Sequence, residues 1–142
     1  MTAPVAAPAP FVWPVRVYWE DTDAGGIVFY ANYLKYFERA RTEWLRVLGL
    51  EQSALRASNG GVFVVSEAQI RYHRPARLDD ELLVTAHPLE IARASLTMLQ
   101  QARLSTATNS VLLCEATIRI GWVDAGSFRP ARIPPTILEK LK

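Results

Sequence analysis

The sequence predicts an α+β fold in which a five-stranded antiparallel sheet wraps over one long helix. Residues 33–48 have the apolar period of an amphipathic helix, and one strand pattern precedes them. Four further strand patterns follow without another long helix. Because the helix carries a broad apolar stripe, it needs a large apolar surface to lie against, and a single sheet can supply that surface.

The first strand is predicted at residues 15–20, ahead of the helix. Apolar and polar side chains alternate there with the two-residue period of a half-buried strand. The strand should end at Asp21, because the run Asp-Thr-Asp-Ala-Gly-Gly that starts there has the composition of a turn. Residues 1–12 lack basic residues and are broken by prolines, so we predict a flexible tail there and a single domain over residues 13–142.

The long helix should begin at Tyr33 and stop before Gly49, since glycine commonly follows the last turn of a helix. Its apolar stripe is formed by Tyr33, Phe37, Ala40, Trp44 and Val47, widened by Leu34, Leu45 and Leu48. Residues 51–57 are expected to add a short helix, and another is expected after residues 134–135, which are both proline. The long helix is therefore the element expected to cover the sheet.

The four later strands are predicted at residues 62–72, 81–89, 93–104 and 111–123. The turn-like segment 74–80 joins the first two, so a hairpin is the simplest prediction for that pair. Apolar side chains alternate along the last two strands, with Ala94, Leu96, Met98 and Ala102 on one side of the first and Leu112, Cys114, Ala116, Ile118, Ile120 and Trp122 on one side of the second. Residues 106–110 should form the turn between them.

The turn and the helix start carry a motif that resembles the signature of hot-dog-fold acyl-CoA thioesterases, D-T-D-x-x-G-[IV]-V-[FY]-x-x-N-Y-x-x-[YF]-x-E-x-A-R. The matching residues are Asp21, Thr22, Asp23, Gly26, Ile27, Val28, Phe29, Asn32, Tyr33, Tyr36, Glu38, Ala40 and Arg41. The similarity extends through residues 72–80 and covers roughly residues 15–123. It is nearest to thioesterases encoded beside the Tol-Pal genes and to 4-hydroxybenzoyl-CoA thioesterases. The resemblance implies a hot-dog fold, with a five-stranded antiparallel sheet wrapped around one long central helix, and hydrolysis of an acyl-CoA thioester.

The resemblance also implies unequal roles for the residues of the turn. Asp23 matches the family's catalytic carboxylate, which would act either as a nucleophile or as the general base for water, while Asp21 is expected to be structural. The backbone amide of Tyr30 matches the donor that polarises the thioester carbonyl at the helix start. Proteins of the Tol-Pal-linked type usually carry histidine at the position of Tyr30, so this chain has the tyrosine of the 4-hydroxybenzoyl-CoA type instead.

Substrate contacts are expected within the motif and at a later segment of the chain. Gly26, Ile27 and Val28 would lie against the substrate beside the turn. Arg93 and Ser95 match a region that meets coenzyme A in related hot-dog enzymes. The phosphates of coenzyme A favour such cationic groups, although the sequence has no glycine-rich phosphate loop.

Composition narrows the classes of protein that remain. The net charge of +2 and the lack of any apolar run of membrane-spanning length indicate a cytoplasmic enzyme without nucleic-acid binding or membrane insertion. The two histidines are far apart in sequence, so we expect neither a metal site nor a cofactor. No G-x-S-x-G elbow is present, which argues against a serine hydrolase. The single cysteine, Cys114, lies in the apolar phase of its strand and is predicted to be a buried structural thiol.

A small sheet over one helix leaves open strand edges, and pairing of two copies would close them. We therefore expect a homodimer or a homotetramer, and the resemblance implies active sites at the subunit interface. Two alternatives to an acyl-CoA thioesterase remain open: a thioesterase for acyl carrier protein, and a non-catalytic acyl-CoA-binding or scaffold protein. Dehydratase chemistry is disfavoured, because hot-dog dehydratases generally use a histidine and the helix-entry motif has none.

Overall fold

A computed structural model describes residues 9–142 of the chain, which contain five strands and three α-helices. The elements follow in the order β1 (Phe11–Arg16), α1 (Tyr33–Val47), α2 (Gln52–Asn59), β2 (Gly61–Tyr72), β3 (Glu81–Ile91), β4 (Ser95–Ser105), β5 (Ser110–Asp124) and α3 (Pro135–Leu141). Two 3-10 turns, at Trp19–Asp21 and Tyr30–Asn32, connect β1 to α1. Most of the predicted tail lies outside the described residues, and Phe11 and Val12 at its end belong to β1.

The five strands form one antiparallel sheet in the order β1-β3-β4-β5-β2, and α1 packs across it. This confirms the predicted architecture of a sheet over one long helix. The predicted hairpin of residues 62–72 and 81–89 is wrong, because β2 pairs with β5 at one edge of the sheet while β3 pairs with β1 and β4. The segment between them crosses the start of α1, where the Val28 N–H donates to the Ala76 carbonyl at 2.9 Å.

The first strand lies earlier than predicted. Val15 and Val17 are buried, as their alternation indicates, but β1 ends at Arg16 and the 3-10 turn at Trp19–Asp21 follows. The carboxylate of Asp21 accepts a hydrogen bond from the Tyr18 N–H at 2.8 Å, which stabilises this turn. The side chain of Trp19 is consequently 80% exposed instead of lying on the buried face.

The long helix begins at Tyr33 as predicted and ends at Val47, one residue before the predicted end, and Gly49 follows with φ +82°. Its buried residues are Tyr33, Tyr36, Phe37, Ala40, Trp44 and Leu45. Val47 and Leu34, both assigned to the stripe from the sequence, are 72% and 41% exposed. The turn at Gly49 returns the chain to the core, where the Leu50 N–H bonds the Leu45 carbonyl at 2.8 Å. Leu50 is buried and completes the apolar surface at this end of the helix.

The apolar faces predicted for the last two strands are confirmed except at their ends. Leu96, Met98 and Ala102 of β4 are buried, as are Cys114, Ala116, Ile118, Ile120 and Trp122 of β5. Ala94 lies before β4 and is only partly buried, and Leu113 is buried instead of Leu112, next to the register shift after Ala102. Burial raises the pKa of the Cys114 thiol to about 12. A thiol with so high a pKa is protonated at neutral pH and is a poor nucleophile, which agrees with a structural role.

A polar cluster interrupts this apolar core at Gln100, which is fully buried between α1 and the sheet. Its amide Nε2 donates to the carbonyls of Phe37 at 2.9 Å and Thr85 at 3.1 Å, and its Oε1 accepts from the Arg41 guanidinium at 2.9 Å. The Thr85 hydroxyl accepts from the Gln101 N–H at 2.9 Å. Side chains thus bridge β3, β4 and α1 where the β3–β4 register has no paired residues.

Gln100→Met should lower the free energy of unfolding by about 2–4 kcal/mol, because it leaves the Thr85 carbonyl and the Arg41 guanidinium without their buried partner. Urea unfolding at one fixed protein concentration measures this loss. Gln101→Met is the matched control, since Gln101 is only partly buried and its side chain bonds Glu115 and Arg103 on the surface. An equal loss in both variants would contradict a special role for the buried amide.

Candidate active site

The carboxylate-rich turn is a closed loop with Asp23 at its base. The Asp23 N–H donates to the Ile27 carbonyl at 2.8 Å, and the Gly26 N–H donates to the Asp23 carbonyl at 3.1 Å. Gly26 has φ +80°, a conformation that side chains other than glycine rarely adopt. Thr22 and Val28 pair across the loop. The local chemistry of aspartate and glycine therefore fixes where the Asp23 side chain emerges.

The Asp23 carboxylate is exposed, and its two oxygens have different surroundings. Oδ1 accepts from the Gly25 N–H at 2.8 Å and from the Ile27 N–H at 3.5 Å. Within residues 9–142, Oδ2 has no hydrogen-bond donor. One oxygen therefore orients the group, while the other is available to attack an acyl carbon or to take a proton from water.

The backbone N–H of Tyr30 lies at the first residue of the 3-10 turn that runs directly into α1. The carbonyl of the same peptide, on Phe29, accepts from the Asn32 N–H at 2.8 Å. In a trans peptide the N–H points opposite to the carbonyl, so the Tyr30 N–H points away from the helix. No acceptor for it is present in the described part of the chain. It is a free donor at the positive end of the helix dipole.

Asp21 ties the turn to this helix start. Its buried carboxylate accepts from the Tyr18 N–H at 2.8 Å and from the Asn32 side-chain amide at 2.9 Å, and its carbonyl accepts from the Phe29 N–H at 2.9 Å. The buried Tyr36 hydroxyl is adjacent, and burial first and the negative charge of Asp21 second raise its pKa. Because Asp21 is buried and both of its carboxylate oxygens accept hydrogen bonds, its environment is that of a structural residue, in contrast to Asp23.

A pocket of 280 Å³ opens beside the Tyr30 turn. It is lined by Ile27, Val28, Tyr30, Tyr33, Tyr72, His73, Arg74 and Pro75. The rings of Tyr30 and Tyr33 stand edge to face against Tyr72, with centroid distances of 6.4 and 5.7 Å. The structure thus brings Ile27, Val28 and Tyr30, all predicted from the sequence, together around one largely apolar pocket, with Gly26 in the adjoining turn.

Arg93 and Ser95 are not brought to this pocket within one chain. They lie at the β3–β4 turn, where the Arg93 carbonyl accepts from the Ile133 N–H at 2.8 Å. The Asp23 turn lies near the opposite end of β3, since the neighbouring Val17 N–H bonds the Asp80 carbonyl at 2.9 Å. The eleven residues of β3 separate the two ends by roughly 35 Å.

Sequence reasoning assigned no role to Tyr72, His73, Arg74 or Pro75, although they form half of the pocket wall. The signal available for them was the family resemblance, which continues through residues 72–80. That resemblance gave no chemistry for these positions. These residues approach the motif because the segment between β2 and β3 crosses the start of α1. The prediction treated that segment as the turn of a hairpin.

A second cavity, of 220 Å³, lies between α1, α2 and the sheet, farther along the helix than the Tyr30 turn. Its polar side is formed by Glu38, Arg41, Thr42 and Gln52, and its apolar side includes Phe63 and Ile120. None of the site residues predicted from the sequence lines it.

No helix within residues 9–142 has both the length and the apolar character needed to cross a membrane.

Comparison with known proteins gives consistent likenesses in sequence and fold. The profile of the thioesterase-like superfamily matches residues 17–141. The acyl-CoA thioesterase YbgC of Haemophilus influenzae is 43% identical over 127 residues, which are 89% of this chain and 90% of that protein. A probable thioesterase from Bartonella henselae, known from its crystal structure, is 31% identical, with a TM-score of 0.81 over 89% of this chain and 100% of that one.

A crystal structure of a 4-hydroxybenzoyl-CoA thioesterase mutant in complex with 4-hydroxybenzoyl-CoA is also similar. It is 20% identical, with a TM-score of 0.85 over 92% of this chain and 97% of that one. At this identity the likeness concerns the fold. Together these structures confirm the predicted hot-dog arrangement of sheet and central helix.

Proposed function

Because this chain belongs to the thioesterase-like superfamily, we propose that it is an acyl-CoA thioesterase, which converts an acyl-CoA thioester and water into a free acid and coenzyme A. One observation carries the proposal. The short segment from Asp23 to Tyr30 holds a carboxylate with one oxygen, Oδ2 of Asp23, and a backbone N–H at a helix start, on Tyr30, neither of which has a hydrogen-bond partner among residues 9–142. The name of the Haemophilus influenzae relative supports acyl-CoA as the substrate class.

In this proposal the Tyr30 N–H stabilises the negative charge that grows on the thioester oxygen when the acyl carbon is attacked. Asp23 supplies the attack by one of two routes. As a nucleophile, it bonds to the acyl carbon, the C–S bond breaks, and water then hydrolyses the mixed anhydride. As a general base, it takes a proton from water while that water attacks, and the departing thiolate is protonated on release.

The two routes differ in the fate of the carboxylate oxygens. Repeated turnover in oxygen-18 water incorporates the isotope into Asp23 if the anhydride forms and water then attacks its Asp23 carbonyl carbon, whereas direct attack by water on the thioester leaves the Asp23 carboxylate unlabelled. Mass spectrometry of the peptide that contains Asp23 separates them. Asp79, an exposed aspartate on a different peptide, reports any unspecific labelling of carboxylates.

The proposed activity is tested with a panel of aliphatic and aromatic acyl-CoA esters, by following release of the free thiol. The largely apolar pocket beside Tyr30 supports an acyl group with an apolar or aromatic surface. Matched thioesters of acyl carrier protein test the first alternative, and faster turnover of the carrier-protein form would favour it. Tight binding of acyl-CoA without turnover of any ester would favour the scaffold alternative instead.

A homodimer is part of the proposal, and the placement of Arg93 and Ser95 supports it. The resemblance assigns these residues to coenzyme A, but they lie at the far end of the sheet from Asp23 of the same chain, so in this proposal a second copy brings them to the Asp23 turn. β2 offers an edge for that copy, since within residues 9–142 it pairs with β5 on one side only. Association into a tetramer, a location in the cytoplasm and a link to Tol-Pal genes stay predictions.

Mixing two defective variants should restore activity if the partner supplies Arg93. Asp23→Asn and Arg93→Ala chains that are unfolded together and refolded form mixed dimers in which one of the two sites has both native residues. We expect clear recovery of thioesterase activity above either variant alone. The matched control mixes Asp23→Asn with Tyr30→Pro. In the proposal each site takes Asp23 and Tyr30 from the same chain, so no mixed dimer of these two variants has an intact site. Recovery in the control, or none in the test, would contradict the arrangement.

A further inference from the structure

Three hydrogen bonds restrain the Phe29–Tyr30 peptide, which carries the proposed oxyanion donor, and its two neighbouring peptides. On the N-terminal side, the Phe29 N–H donates to the Asp21 carbonyl at 2.9 Å. The Phe29 carbonyl accepts from the Asn32 N–H at 2.8 Å. On the other side, the Tyr30 carbonyl accepts a hydrogen bond from the Tyr72 hydroxyl at 2.8 Å. The Phe29–Tyr30 peptide, whose N–H has no acceptor in the described part of the chain, therefore lies between two tethered neighbours.

Tyr72 is well placed to act as a fixed tether, because it is the last residue of β2 and pairs with Cys114 of β5. The chain just beyond it is also anchored, since the N–H groups of His73 and Arg74 both donate to the Leu113 carbonyl, at 2.8 and 3.1 Å. The Tyr72 hydroxyl thus belongs to the end of the sheet and bonds a residue 42 positions earlier in the chain. Partial burial raises the pKa of Tyr72, so the hydroxyl remains a proton donor at neutral pH.

We propose that Tyr72 is a positioning residue for the oxyanion donor: its hydroxyl holds the Tyr30 carbonyl and thereby fixes the direction of the Tyr30 N–H. A preorganised donor stabilises a developing oxyanion without having to reorient during the reaction. Loss of the tether should therefore raise the barrier to the chemical step more than it weakens substrate binding. This inference rests on the proposed function, and it adds to the motif a residue that touches the catalytic turn from the sheet.

Tyr72→Phe removes the hydroxyl and keeps the aromatic wall of the pocket. We expect kcat to fall about three- to tenfold, the effect of one neutral hydrogen bond, with KM within about twofold of wild type. The Asn32 amide, whose bond to Phe29 closes the turn, should exchange its hydrogen faster in the variant. Tyr18→Phe is the matched control, because it removes a hydroxyl from a tyrosine that is 61% exposed, and its kinetics should equal those of wild type.

Unchanged kcat in Tyr72→Phe, or a rise in KM alone, would overturn the proposal, since the second result would mean that Tyr72 only contacts substrate. The exchange measurement needs no substrate. It decides the tethering role even if wild type hydrolyses no ester of the panel, an outcome that would remove the proposed function itself. Equal protection of the Asn32 amide in wild type and variant would then count against Tyr72.

Discussion

Asp23→Asn is expected to lower kcat about 10²–10⁴-fold with little change in stability. Asparagine keeps a carbonyl oxygen where Oδ1 of Asp23 accepts from the Gly25 N–H, so the turn remains closed. The amide nitrogen that replaces Oδ2 can neither attack the acyl carbon nor accept a proton from water. Steady-state hydrolysis of the best acyl-CoA ester, with a thermal melt of each protein, measures both effects.

Asp79→Asn is the matched control for this substitution. It makes the same change of charge at an exposed aspartate of the crossing segment, and asparagine tolerates the φ of +70° found there. Its kcat should equal that of wild type. If Asp23→Asn also retained wild-type kcat, Asp23 would have no part in the chemical step, and the free Oδ2 would lose its assigned role.

Tyr30→Pro should lower kcat about 10²–10³-fold relative to Tyr30→Ala, because proline removes the proposed donor N–H while both variants lose the side chain. The backbone can accept proline there. Phe29 has φ −58° and ψ 131°, which suits a residue before proline, and Tyr30 is the first residue of its turn, where no intrahelical bond is lost. The comparison of the two variants therefore isolates one N–H group.

The same assay and a far-ultraviolet circular dichroism spectrum of each variant test this second prediction. Native helix content in Tyr30→Pro together with a strongly reduced kcat is the expected result. Equal kcat values for Tyr30→Pro and Tyr30→Ala would mean that another donor stabilises the oxyanion. Removal of the tyrosine ring alone, in Tyr30→Ala, reports on the fit of the acyl group through KM.

Local sequence patterns predicted the helices and strands of this fold well, but they did not predict which strand pairs with β2. The period of α1 and the alternation in β4 and β5 are set by residues close in sequence, and these elements were predicted within a few residues. The partner of β2 is not a local property. Nothing in residues 62–89 distinguishes a hairpin from a crossing, because the bonds that hold the crossing are made to Val28 and Tyr33.

In the candidate site, too, the residues that are close in sequence were predicted and those that the topology brings in were not. Asp23 and Tyr30 lie in one short motif, so the sequence alone brought them together with Ile27 and Val28. Tyr72 reaches the Tyr30 turn only through the end of β2, and its hydroxyl could not be assigned a partner before the topology was known. Arg93 and Ser95 are the opposite case, because the family resemblance assigned them to the same substrate as the Asp23 turn, from which the sheet separates them within one chain.

The crossing segment has a consequence for how the protein folds. Its Ala76 carbonyl accepts from the Val28 N–H, and its N–H donates to the Tyr33 hydroxyl at 3.2 Å, so the segment is joined to the Asp23 turn and the start of α1, more than forty positions earlier. Such nonlocal contacts form only after the entropy of closing a long loop has been overcome. Helix α1 can therefore acquire its hydrogen bonds early, while the geometry of the active site is acquired late. Recovered activity is thus a stricter measure of native refolding than recovered helix content.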